Sequence, residues 1–190
     1  VVCLWGCEKN VGYEPGSFEA LANEMCGEYV LTGMHWTGTP IDLNGDGTGY
    51  NDLIKELCWF NGYYEPNHLP NHFAKVAVSD IADKTIAVSV MLPYPDFREK
   101  DGNTSIAGVE YLPFTLRETY IGGDTRVALT YGPVSFDQVP DEEVFLKGIT
   151  ELRITDFEDG EFTVRLRCHL KEADEDEYKH EYLHYYYRRL

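Results

Sequence analysis

Positive charge is what this chain has least of. Sixteen lysines and arginines stand against 33 acidic residues, a formal charge of −17. Such a surface repels phosphate backbones and anionic headgroups over a Debye length of about 8 Å at physiological salt. Nucleic acid is therefore not an expected partner, and a divalent cation is. Long apolar runs are missing too: no stretch approaches the ~20 apolar residues of a membrane-spanning helix. Membrane attachment is expected only through a lipid. There is no GxxxxGK phosphate loop and no Gly-x-Ser-x-Gly nucleophile turn, so no enzymatic activity is expected.

What is present points to one β-rich domain. The 190 residues suit a single core, and fourteen tyrosines supply large half-polar rings of the kind favoured on strands. Residues 1–16 differ from the rest. Val1-Val2-Cys3-Leu4-Trp5-Gly6-Cys7 is apolar and uncharged, and resembles the tail of a signal peptide ending in a bacterial lipobox. Leu4 and Gly6 precede Cys7 as the motif requires, although Trp5 replaces the usual small residue. Cys7 is then the lipidation site, residues 8–16 a tether, and residues 17–190 the folded domain. Of the five cysteines, Cys26, Cys58 and Cys168 remain. One bridge, such as Cys26 to Cys58, and three small buried hydrophobes are both compatible with their spacing.

Ser17 is a good N-cap for a helix carrying Phe18, Leu21, Ala22 and Met25 on one face and ending at Cys26-Gly27. Glu28 to Trp36 reads as a strand, and Asn51 as the cap of a short helix bearing Leu53, Ile54 and Leu57. Further strands are expected over Phe73–Ser79, Thr85–Leu92, Ser105–Tyr111, Phe114–Ile121, Thr125–Tyr131, Ile149–Phe157, Glu161–Leu170 and Tyr178–Arg189, with Pro93-Tyr94-Pro95 and Gly122-Gly123 as breaks. About nine strands joined mostly by short turns predict an antiparallel barrel or sandwich with one or two short helices.

One stretch names a chemistry. Asp42-Leu43-Asn44-Gly45-Asp46-Gly47-Thr48 places oxygen-bearing side chains at positions 1, 3 and 5 of a calcium loop, a glycine at 6 and the Thr48 carbonyl at 7. Position 12 is Leu53, where a bidentate glutamate is needed, and Asp52 is one residue short. Affinity is expected in the 10⁻⁴–10⁻³ M range of extracellular modules unless Asp52 or a distant acid completes the shell. A plain Asx turn is the competing reading.

Three other constellations compete with it. His180-Glu181-Tyr182-Leu183-His184 has HExxH spacing, which on a helix would build a zinc hydrolase. The segment alternates like a strand, however, and would hold the two histidines ~13 Å apart. Tyr182, Tyr185, Tyr186 and Tyr187 could offer a stacking platform for a glycan. His68 and His72 could meet a metal but stand in a polar loop.

His35-Trp36-Thr37-Gly38-Thr39-Pro40-Ile41, the DLNGDG turn and Asn51-Asp52-Leu53-Ile54-Lys55-Glu56-Leu57 together resemble a group of outer-membrane lipoproteins of uncharacterised role from gut Bacteroidetes. The likeness runs from about Glu28 to the C-terminus and includes the tyrosine-rich last strand. It implies a lipocalin-like fold and a lipid-anchored place at the bacterial outer membrane, and it lends no catalytic residues. The expected role is noncatalytic binding of a small molecule, a glycan or a protein.

Overall fold

A computed structural model of the chain describes residues 17–60, 62, 65–100, 103–119, 147–172 and 177–190. Helix α1 (Phe18–Met25) starts where the Ser17 hydroxyl accepts from the Ala20 amide at 3.1 Å. Its C-terminal carbonyls are answered from the sheet. Tyr29 Oη donates to Met25 O at 2.6 Å, and the Arg189 guanidinium donates to Glu24 O and Cys26 O at 3.1 and 2.7 Å. A cation on the last turn also suits the helix dipole.

Seven strands follow: β1 (Gly27–Trp36), β2 (Phe73–Asp80), β3 (Thr85–Lys100), β4 (Asn103–Thr119), β5 (Glu151–Glu158), β6 (Glu161–Leu170) and β7 (Lys179–Arg189). Helix α2 (Leu53–Trp59) and a single 3₁₀ turn (Pro66–His68) lie between β1 and β2. The strands form one antiparallel sheet in the order β4-β3-β2-β1-β7-β6-β5, so the last strand pairs with the first. The edges β4 and β5 do not pair among the described residues, and the sheet is open.

It is nevertheless curled. β3 and β6 are four intervals apart in the sheet order, about 19 Å if the sheet were flat. Yet Tyr94 Oη on β3 donates to His169 O on β6, and Tyr185 Oη on β7 donates to Pro93 O on β3 at 2.9 Å. Glu110 on β4 meets Lys147, just before β5, at 3.2 Å. The enclosed side is filled by Trp36, Tyr94, Tyr185, Tyr187 and Phe162, each no more than 1% exposed. Both helices contribute to the same core, through Phe18 and Met25 and through Leu53, Ile54 and Leu57.

The antiparallel β architecture with two short helices is the expected one, and several boundaries change. Pro93-Tyr94-Pro95 does not break the chain: β3 runs through it, paired with Tyr111, Glu110 and Val109. Beyond Val90 β3 has no β2 partner, so a residue lacking an N–H loses no ladder bond on that side. Ser105–Tyr111 and the described part of the expected Phe114–Ile121 strand are likewise one strand, β4, which is described to Thr119, with Pro113 on the sheet edge. Asn51 does not cap α2. Asp52 does, accepting from Ile54 N at 3.3 Å. The Thr125–Tyr131 strand, the Gly122-Gly123 turn and Cys7 lie outside the described residues. Cys58 and Cys168 are buried free thiols, so the Cys26–Cys58 bridge does not form.

The curl gives a stability prediction. Tyr185→Phe strands the Pro93 carbonyl and should cost about 1–2 kcal/mol. Urea unfolding measures it, and an unchanged midpoint would show that this hydroxyl does not hold the two halves together.

Candidate functional site

The acidic loop leaves β1 at Trp36 and is closed at its neck. Ile41 and Tyr50 exchange backbone hydrogen bonds at 3.2 and 3.1 Å. Asn51 Nδ2 donates to both Trp36 O and Gly38 O at 2.7 Å, fixing the chain where it returns to the strand. Ile41 and Leu43 are buried, so apolar anchors pin the loop at its start.

Within it the side chains fold back on the backbone. Asp42 Oδ1 accepts from the Gly45 amide at 2.7 Å and from Asp46 at 3.3 Å, and Oδ2 from Gly47 at 2.7 Å. Asn44 Oδ1 accepts from Asp46 N at 2.9 Å, and Asp46 Oδ1 from Thr48 N at 2.8 Å. Gly45 and Gly47 have φ of 72° and 84°, a region costly for any residue with a Cβ. The DxNxDG spacing is thus explained locally: each short acceptor two residues apart closes a turn, and glycine permits the reversals.

Behind the loop stands a residue that sequence reasoning did not single out. Glu56 on α2 is completely buried. Its Oε2 accepts from the Leu43 and Asn44 amides at 3.0 and 3.2 Å, while Oε1 has no hydrogen-bond partner among the described residues. Burial pushes its pKa up to about 6; the two amides oppose the rise, and the Asp42 and Asp46 carboxylates add to it. A signal was available. Glu56 follows Leu53 by three residues and precedes Leu57, which puts a carboxylate on the apolar face of a short helix.

The other site residues separate. Asp52 spends its carboxylate on the α2 cap. His180 and His184 lie along β7 and face different cross-strand partners, His169 and His35, so the HExxH spacing does not bring its imidazoles together. Of the four tyrosines, Tyr185 and Tyr187 belong to the core, whereas Tyr182 and Tyr186 lie on the outer face of β7. His72 is engaged by Leu69 O, and its ring rests against Phe73. A solvent-open groove of about 620 Å³ crosses β2, β3 and β4, between Phe73, Lys75, Met91 and Thr115. Among the described residues no three His, Cys, Asp or Glu side chains are gathered as a finished metal centre.

No family model, curated protein or solved structure matches this chain.

The buried carboxylate makes a pH prediction with a definite sign. Between its ordinary value of 4.5 and about 6, Glu56 holds a proton in the folded chain that the unfolded chain has released. Its contribution to stability is therefore full below about 4.5 and is lost as pH rises through about 6, a change of about 2 kcal/mol. Urea unfolding of wild type and Glu56→Gln from pH 4 to 7 should show their difference moving in this direction. A pH-independent difference would mean that Glu56 ionises freely.

Proposed function

We propose that the chain is a noncatalytic binding module of a bacterial cell envelope, anchored by lipid on Cys7, and that its Asp42–Thr48 loop binds calcium. The observation that carries the calcium reading is Glu56, a fully buried carboxylate with one unpartnered oxygen, placed behind two further acids. None of Asp42, Asp46 and Glu56 is ion-paired to a described lysine or arginine. A hard dication answers this uncompensated charge, since it takes six to eight oxygens from carboxylates, amides and carbonyls.

The donors are Asp42, Asn44 and Asp46 through their side chains and Thr48 through its carbonyl. Leu53, at the position of the missing bidentate glutamate, is buried in the core. Glu56 is one helical turn further along the same face and supplies the acid that Leu53 lacks. Asp46 is exposed and Asn44 half-exposed, so both can turn inward at little packing cost. With few charged ligands the site is weak, and it suits an exported protein that meets millimolar calcium.

The envelope location is supported by Leu4 and Gly6 before Cys7, and by the resemblance of the Trp36–Leu57 region to Bacteroidetes lipoproteins. The noncatalytic reading is supported by the strand placement of His180, Glu181 and His184.

Two experiments test this. Thermal melts should show calcium at ten times Kd adding about 1.4 kcal/mol of stability, with the effect absent in Asp42→Ala and weaker at pH 5 than at pH 7. No shift, or an equal shift in the variant, would sink the calcium site. For the anchor, the precursor expressed in a bacterial host should incorporate labelled fatty acid and lose it in Cys7→Ser; incorporation unaffected by that change would exclude Cys7.

A further inference from the structure

The outer face of β5, β6, β7 and β1 carries the charge that the chain otherwise lacks. Register places Arg153 opposite Arg165, Arg165 opposite His184, and His184 opposite His35. Four basic side chains thus form one row across four neighbouring strands, at intervals of about 4.8 Å. Like charges directly opposite one another destabilise a sheet, so the Arg153–Arg165 pair is a cost that packing alone does not explain.

The row is unbalanced at its centre. Glu151 pairs with Arg153 at 2.5 Å at the β5 end. Arg165 and the neighbouring Arg167 form no ion pair among the described residues, although Glu151 stands opposite Arg167 in the register; both guanidiniums lie over the Tyr182 ring, 4.4 and 5.6 Å from its centre. Arg165 Nε and His184 Nε2 are shielded from water without a hydrogen-bond partner among the described residues. The His184 imidazole is held below its usual pKa by burial first, then by Arg165 and His35, with Asp156 acting the other way. Beside the row, the Tyr186 ring covers Gly33, its cross-strand partner: a Cβ there would meet the ring at 3.3 Å. Tyr186 remains 38% exposed.

We propose that this face binds an acidic carbohydrate, with the Arg165 and Arg167 guanidiniums taking carboxylate or sulfate groups and Tyr186 stacking on a sugar ring. Guanidinium forks match both oxyanions, and tyrosine offers a flat apolar face with a polar edge. Duplex nucleic acid is also anionic, but it packs one charge into about 1.7 Å of its axis and meets the net charge of −17 more strongly than a sugar chain, whose charges are spaced by whole sugar rings. The proposal is independent of the calcium site, and failure of either leaves the other standing.

The test is isothermal titration of the full chain with polygalacturonate and chondroitin sulfate, against dextran as an uncharged sugar and poly-L-glutamate as an anion without sugar rings. Either acidic polysaccharide should bind, and which one does identifies the anionic group; dextran and polyglutamate should not. Binding should weaken as salt is raised. Arg167→Gln, at an exposed position, should weaken it roughly tenfold through loss of a charge-assisted fork, and Tyr186→Ala several-fold, with melting temperatures near wild type. Absence of binding to both acidic polysaccharides, equal binding of dextran or polyglutamate, or full affinity in Arg167→Gln would overturn the proposal.

Discussion

The pairing of β7 with β1 is the constraint on which the rest of this structure depends. Without it the described strands are two separate sets, β1 to β4 and β5 to β7, each with a bare apolar side. The ladder from Tyr29–Arg189 to Trp36–Leu183 joins them into one sheet. Alternation along β7 then distributes its tyrosines. Tyr185 and Tyr187 turn inward to fill the curl, while Tyr182 and Tyr186 turn outward to the basic face. Arg189, at the end of the same strand, closes the C-terminus of α1. One strand therefore serves the core, the helix and the outer surface, because successive side chains point to opposite sides.

The acidic loop depends on that sheet through Trp36. This fully buried ring ends β1, its amide donates to Asn51 O at 2.8 Å, and the returning chain runs directly into α2. Helix and loop are thereby held face to face, and the Glu56 carboxylate reaches two loop amides. Those bonds stabilise the ionised form, whereas burial and two neighbouring acids oppose it. The balance lies with opposition, since the pKa is raised. A cation would reverse it. In the proposed account the loop is a cation-responsive element whose strain is electrostatic.

Local rules made much of this legible in advance. Ser17 and the apolar spacing of Phe18, Leu21, Ala22 and Met25 marked α1, and the alternation around Glu158-Asp159-Gly160 marked the β5–β6 hairpin. The turn at Asp42 was visible because its spacing is set by neighbours in sequence. Features settled by tertiary context were not visible. Prolines at 93 and 95 read as breakers until it is known that β2 does not extend beside them. Asn51 and Asp52 are both good caps, and only the approach of Trp36 O and Gly38 O assigns them different tasks. Glu56 looked like an ordinary helix glutamate because the loop amides that meet it are thirteen and twelve residues distant. The basic row is hidden for the same reason: its members sit on four strands, and register alone aligns them.

The most direct test of the cation account is the backbone amide spectrum of the ¹⁵N-labelled chain during a calcium titration. The account predicts that the Leu43, Asn44, Gly45 and Gly47 amides, all bonded to carboxylates of Asp42 or Glu56, shift together with a midpoint of about 10⁻⁴–10⁻³ M. In Glu56→Gln the same titration should require markedly more calcium. If these four amides stay in place through millimolar calcium at neutral pH, the loop is a turn held by its own side chains and the cation site does not exist.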